Sequence, residues 1–317
     1  MKRLLQDRNN KFAYYLAGHF KRLYPKSLLS LDLDKMQESI KDFDVKAAQD
    51  RVDYYNQIQA PFFLKKDVGR IADISRQHGV YSLDLMEYTR FFPQEFQLSY
   101  VFGDVTSIPH MPSLVKSRPI SDNNHNSILM KMNKVRHFYF VKDVIPFKDK
   151  QNNLVWRGAA HQQHRIKFLQ KFYGKSELID VGSFNKDTNK DHLWQASFMT
   201  ISDQLKSKFI LSIEGNDVST STKWIMSSNS LCFMTKPKYE TWFMEGILVP
   251  NYHYVLLRED YSDLEEKINY YIDNPLEAQQ IIKNANQYVR QFQDRKLEDW
   301  ISLKVLDRYF KMSGQLL

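Results

Sequence analysis

Residues 206–255 read KSKFILSIEGNDVSTSTKWIMSSNSLCFMTKPKYETWFMEGILVPNYHYV. Phe209 to Ile213 is a short apolar run with β-branched and aromatic residues, the pattern of a strand buried on both faces. A polar turn follows, Glu214, Gly215, Asn216 and Asp217. Ser219 is placed to cap a helix to about Ser228 that turns Trp224 and Ile225 inward. Ser230 to Met234 reads as a second buried strand and Tyr252 to Leu257 as a third. Strand, turn, helix and strand make a βαβ unit of an open parallel sheet, which binds ligands at the carboxyl ends of its strands.

The chemistry of this turn favours an anion. Backbone N–H groups at a helix start, with the positive end of the helix dipole, suit a phosphate. Ser219, Thr220, Ser221 and Thr222 add hydroxyl donors, and Lys223 adds a cation one turn in. The same residues also describe a capped helix start in any α/β protein, because one glycine among hydroxyl residues is a weak motif.

The rest of the composition narrows the partner. A chain of 317 residues, 43% hydrophobic and 14% aromatic, can fill one large or two medium domains. Cys232 is the only cysteine, which excludes an internal disulfide or a thiolate metal cluster and fits a reducing, cytoplasmic setting. The first residues lack the apolar core of a signal peptide, and no run approaches a membrane span, so neither export nor spanning is expected. The net charge of +8, from 45 basic against 37 acidic residues, suits a sugar nucleotide, a phosphorylated lipid, an anionic bilayer or nucleic acid. A nucleic-acid reader would cluster its basic residues with stacking aromatics, and here they are spread, so no nucleic acid is expected. The chain has no HExxH or GxSxG pattern and no GxxxxGKS phosphate loop, since Gly174-Lys175-Ser176 is preceded by Leu169 where the first glycine would stand, which argues against the commonest metalloprotease, hydrolase and nucleoside-triphosphatase readings.

Outward from the opening stretch, Phe12, Tyr15, Leu16, His19, Phe20 and Leu23 predict an amphipathic helix over 9–24, ended by Pro25 and surrounded by lysine and arginine. It either packs on its own domain or docks on anionic head groups at the inner membrane face. Asp32-Leu33-Asp34 matches a short metal-binding DxD pattern, but no nucleotide-binding strand precedes it, and Asp34 is expected to start a helix to about Tyr55. Leu83 to Phe92 predicts a helix stopped by Pro93, and Phe96 to Phe102 a strand ending at Gly103-Asp104. Pro109 to Asn126 reads as a polar loop and His137 to Val141 as a strand. Leu154-Val155-Trp156 is a strand running into Arg157-Gly158, and a helix bearing His164, Arg165 and Lys167 follows. Arg157 and Arg165 can converge on one diphosphate through charge-assisted bonds. Leu178 to Val181 predicts a strand and Trp194 to Leu205 a helix. Ser262 opens a capping box for a helix to Ile272, Asn274-Pro275 another to Phe292, and Leu297 to Phe310 a last apolar-striped helix.

Several of these stretches, EGND, TKW, SLCF and WFMEGILVPNYHYV in that order, with WRG at Trp156 to Gly158 and the later Arg165, resemble glycosyltransferase family ninety. That family includes bacterial lipopolysaccharide A proteins, fungal CAP10 capsule proteins and animal protein O-glucosyltransferases. The resemblance spans about Leu85 to Phe292 and implies an α/β fold of GT-B type, two Rossmann-like domains facing a cleft. Residues 1–147 would be the acceptor-side domain, 148–294 the donor domain, and 295–317 a helix returning to the first, with a hinge near 145–153.

The resemblance further implies an inverting transfer of glucose or galactose from a UDP-sugar to an inner-core heptose of lipopolysaccharide. A capsule polysaccharide or a protein serine is the alternative acceptor, and a non-catalytic basic binding module for nucleic acid or membrane the remote one. Asp104 matches the segment carrying the general base. Arg157, Gly158, Arg165, Gly215, Ser219, Thr220 and Lys223 would belong to the donor site, with Arg157, Arg165, Lys223 and the helix start near Ser219 stabilising the diphosphate. Glu214, Asn216 and Asp217 suit sugar or ribose hydroxyls, because carboxylates aimed at phosphate would repel it. Two arginines and a lysine can replace a divalent ion, so no metal or cofactor is expected. One departure stands out: animal relatives carry arginine two residues before that lysine, where this chain has Ser221.

Overall fold

The computed structural model describes residues 14, 16, 33–38, 40–74, 79–184 and 194–317. In chain order the elements are α1 (Leu33–Glu38), α2 (Val45–Tyr55), α3 (Val80–Thr89), β1 (Tyr100–Val101), β2 (Ser113–Val115), β3 (Ser117–Pro119), β4 (Ser127–Leu129) and α4 (Lys134–His137). Then come β5 (Gln151–Gly158), α5 (Gln163–Phe172), β6 (Ile179–Ser183), α6 (Ile201–Gln204), β7 (Ser207–Leu211), α7 (Thr222–Met226) and β8 (Leu231–Thr235). Last are β9 (Tyr239–Thr241), β10 (Val255–Leu257), α8 (Leu264–Asp273), α9 (Pro275–Arg290) and α10 (Arg295–Met312). The fold is mixed α/β with parallel sheets. Two compact units form: Phe138–Pro237 with Ile247–Gln291, and the described residues up to His137 with Lys238–Gly246 and Phe292–Leu317.

The unit holding β5 is built on a five-stranded sheet in the order β10-β8-β7-β5-β6, every pair parallel. Its strands are short apolar runs because both sheet faces are covered, so alternation with polar residues is lost. Leu154, Phe209, Leu211, Phe233 and Val255 fill one core with Ile268 of α8. Each such side chain contributes roughly 1.5–3 kcal/mol on burial. Read by chain position, the strand order is that of a doubly wound sheet. The direction of winding reverses between β5 and β7, and a crevice at such a switch point is where open α/β sheets take ligands.

The other unit carries a three-stranded parallel sheet, β1-β2-β4, and a two-stranded antiparallel ribbon, β3 with β9. The ribbon draws Lys238–Gly246 into this unit although its neighbours in sequence lie in the other. Arg118 Nε donates to Glu240 Oε1 at 2.7 Å, and both side chains are buried. Helix α10 packs here through Trp300, Tyr309 and Phe310. Its Glu298 accepts from Lys131 Nζ at 2.6 Å, from Trp242 Nε1 at 2.7 Å and from Arg51. Burial pushes Glu298 upward, but the Lys131 and Arg51 charges outweigh it and hold the carboxyl below its ordinary value. Loss of one partner from such a buried network costs about 3–5 kcal/mol.

Several expectations need correction. The helix over 9–24 and the Asp32–Asp34 pair lie outside the described residues, apart from the helical Tyr14 and Leu16 and the backbone of Asp34. The helix expected from Asp34 to Tyr55 is broken, because Asp44 caps a new start by accepting from Ala47 N at 3.0 Å. The strand expected over 96–102 shrinks to β1, and the 109–126 loop contains β2 and β3. His137 ends α4, and residues 138–141 join no ladder; Val141 N donates to the Ser227 hydroxyl instead. The helix over 194–205 is only α6, since Thr200 and Asp203 form a capping box there. Helix α7 starts at Thr222 rather than at Ser219, and α8 starts behind Asp263, whose carboxylate accepts from Arg258 N. Among the described residues no helix is long and apolar enough to cross a membrane.

Candidate functional site

Arg165 closes the switch point. It stands in the first turn of α5, and its guanidinium donates to Ala159 O beyond β5 at 3.0 Å. It also donates to Ile213 O and Glu214 O beyond β7, at 2.7 and 2.8 Å. One cation thus clasps the carboxyl ends of the two strands between which the winding reverses. His164 Nε2 lies 2.8 Å from the same Glu214 O, and a carbonyl can only accept, so that nitrogen carries the proton. Gln162 adds a third tie, its amide donating to Asn216 Oδ1 at 3.0 Å. The start of α5 therefore fixes the 213–216 turn.

The WRG sequence has a packing logic of its own. Trp156 and Gly158 alternate to one side of β5, and the indole lies over the glycine. A Cβ at 158 would sit 2.4 Å from Trp156 Cζ2, so a larger residue fits only if the indole shifts. The Arg165 guanidinium lies 5.7 Å from the indole centroid, within cation–π reach. Arg157 turns elsewhere: it donates to Asp180 Oδ1 at 2.7 Å and to the carbonyls of Trp156, Asp180 and Ser197. Its side chain secures β6 and the 195–197 segment rather than pointing beyond the strand end.

The hydroxyl-rich turn is tightly folded. Ser219 and Ser221 share a hydroxyl bond at 2.8 Å, as do the buried Ser212 and Thr222. Asp217, Ser219 and Lys223 are buried, and Lys223 is fully so, its ammonium 6.0 Å from the Phe138 ring. Glu214, Gly215 and Thr220 are half-buried and Asn216 is exposed. Helix α7 has only five residues, so its dipole is small, and donor groups of the turn replace the helix end as the feature facing an anion. Beneath this edge Tyr261 packs on Phe168, its hydroxyl pushed up to about 12 by burial and by the Glu259 and Glu214 charges, against Arg165. It stays protonated at neutral pH. Among the described residues no cluster of three or more His, Cys, Asp or Glu is arranged to hold a metal ion.

Asp104 belongs to the other unit, in the turn after β1. Strands β1 and β2 pair Val101 with Val115, which brings Lys116, the residue just after β2, beside that turn. Lys116 Nζ lies 2.6 Å from Asp104 Oδ1; the lysine side chain is 1% exposed and the aspartate 32%. The Ser117 hydroxyl accepts from Val105 N at 3.1 Å and fixes the turn from the far side. A carboxylate held from within by a buried cation, yet open to solvent, can take a proton from an incoming group. Lys116 and Ser117 were not evident in sequence, because a three-residue strand shows no periodicity. Glu245 is buried and accepts from Thr241 N, and His253 Nδ1 accepts from Val249 N.

A mixed α/β fold whose parallel sheet ends in a cationic clasp is of the class that holds ligands at strand ends. Residues 129–314 match the family described as Glycosyl transferase family 90. The O-glucosyltransferase LpsA of Dichelobacter nodosus is 48% identical over 267 residues, which is 84% of this chain and 83% of that protein. Protein O-glucosyltransferase 3 of Homo sapiens is 27% identical over 147 residues, 45% of this chain and 28% of that protein. Protein O-glucosyltransferase 2 of Danio rerio is 24% identical over 148 residues, 45% and 29% respectively. The chain belongs to glycosyltransferase family 90.

Proposed function

We propose that this glycosyltransferase moves glucose from UDP-glucose to a heptose of the lipopolysaccharide inner core, with inversion at the anomeric carbon. The observation that carries the donor half is the Arg165 clasp across the ends of β5 and β7. It places a guanidinium and a fixed turn where a doubly wound sheet takes its ligand. The diphosphate would lie against Arg165, Gly158, Gly215 and the Ser219–Thr220 turn, with Lys223 as a buried positive charge behind it. A Cβ at Gly215 would meet nothing closer than 3.6 Å, so folding alone does not demand glycine there, which supports a role in close ligand approach. Glu214 and Asn216 suit the sugar or ribose hydroxyls, and Asp217, being buried, braces the turn. Arg157 acts at one remove, by holding the β5 end through Asp180. Leaving-group charge is then met by fixed protein donors, so a divalent ion is not required.

Asp104 is assigned as the base that takes the proton from the acceptor hydroxyl as it attacks the face opposite the nucleotide. We also assign the two units to the GT-B plan, with the five-stranded unit on the donor side and the Asp104 unit on the acceptor side. Support comes from the separate parallel sheet in each. Glucose is preferred to galactose because the relatives are named glucosyltransferases. A lipopolysaccharide acceptor is preferred to a protein because 48% identity over most of the chain outweighs 27% over less than half. A cytoplasmic enzyme with peripheral contact at the anionic inner-membrane face completes the reading. Asp104→Asn tests it: glucose transfer should fall by about 10²–10⁴-fold while UDP binding persists. Transfer unchanged in that variant removes Asp104 as the base.

A further inference from the structure

We propose that Tyr81, Tyr100 and Phe102 form a stacking platform for the apolar face of the acceptor sugar, beside Asp104. This rests on the reading of Asp104 as the group that activates the acceptor. Tyr100 of β1 and Phe102, the residue just past its end, pair their rings with centroids 4.5 Å apart at 34°. Tyr81, from α3, reaches Phe102 at 5.7 Å and 35°. The Asn133 side-chain amide donates to the Tyr81 hydroxyl at 3.3 Å, which fixes that ring's tilt. Nearby side chains that serve only as core are closed off: Leu98, Leu114 and Val115 are at most 1% exposed. The three rings instead keep part of their surface in solvent.

The backbone leaves room in the same place. Gly103 joins Phe102 to Asp104 with φ at +100°, in the region that favours glycine, and a Cβ built there would meet nothing within 4 Å. A side chain at 103 would be strained and would enter that open space. Ring, open backbone and carboxylate follow one another over three residues. A pyranose ring has one face of C–H groups and an edge of hydroxyls. The C–H face suits the electron-rich face of an aromatic ring, and a hydroxyl edge suits a carboxylate, the mix of apolar lining and few polar groups typical of small-ligand sites.

The test compares Phe102→Leu with Phe102→Tyr, using UDP-glucose and a heptose-terminated core oligosaccharide, and follows UDP-glucose hydrolysis without acceptor in parallel. Phe102→Leu should raise the acceptor KM about three- to tenfold. Donor hydrolysis should stay within about twofold of wild type. Phe102→Tyr should restore the acceptor KM. An unchanged acceptor KM in Phe102→Leu overturns the platform, and so does an equal loss of both reactions with a lower Tm, which would mark the ring as packing alone. If Phe102→Leu does not fold, Tyr81→Leu is read in the same way. A wild-type chain that never consumes UDP-glucose removes the donor reading itself. One that consumes it while Phe102→Leu keeps its acceptor KM removes only the platform.

Discussion

Gly158 is held to glycine by its neighbour: Trp156 occupies the space where any Cβ would go. Gly158→Ala must push the indole aside and loosen the ring beneath Arg165. The variant should lose about 1–3 kcal/mol of stability by thermal melting, together with part of its affinity for UDP. At the other candidate edge, Lys116 Nζ holds Asp104 Oδ1 at 2.6 Å, so with Asp104 as the proposed base its loss should appear in turnover and not in donor binding. Lys116→Met should lower kcat by on the order of ten- to a hundredfold with the donor KM unchanged. Lys116→Arg should recover part of the rate, because the charge remains though its geometry differs. Asp104 and the Glu214–Asn216 turn could be singled out because polar groups after apolar runs mark strand ends, and Arg165 as a cation on the early turns of the helix that follows Arg157. Lys116 could not, because it reaches Asp104 through strand pairing across a segment that reads as loop.

Among the elements, the βαβ core was the most legible. Runs such as Phe209–Leu211 and Leu231–Met234 admit few readings other than strands covered on both faces. Strands β1 to β4, two or three residues each, leave no pattern to read. The helix expected at 194–205 failed for a tertiary reason: Gln195 bridges to Ser183, and Arg157 holds the Ser197 carbonyl, so that stretch is tied to β6. A different pair of elements sets a pH dependence. Asp84 on α3 accepts from Lys134 N at the start of α4 at 2.9 Å. Burial pushes its carboxyl up to about 7, against the Lys134 charge that pulls it down. The folded state thus binds this proton more tightly than the unfolded chain does. Stability from this group is full below about pH 4 and is lost as pH rises through about 7. Asp84→Asn should flatten the fall in denaturation midpoint between those limits. A wild-type midpoint that rises over that range would reverse the sign.

The whole molecule departs from a simple order of two domains along the chain. Lys238–Gly246 crosses back through pairing of Arg118 with Glu240, and Phe292–Leu317 joins the same unit. A three-residue antiparallel ribbon leaves no pattern to read, and a return of 295–317 to the first domain was expected from the resemblance alone, not from the helix's apolar stripe. The net charge of +8 suits a chain whose proposed donor and proposed acceptor are both anionic, without choosing between them. In the proposed donor site, protein groups at the β5–β7 switch point hold a nucleotide diphosphate unaided. Calorimetric titration of UDP-glucose into the wild-type chain in EDTA tests it most directly. Saturable binding that manganese does not strengthen is expected. Binding that is absent in EDTA and restored by manganese would contradict it.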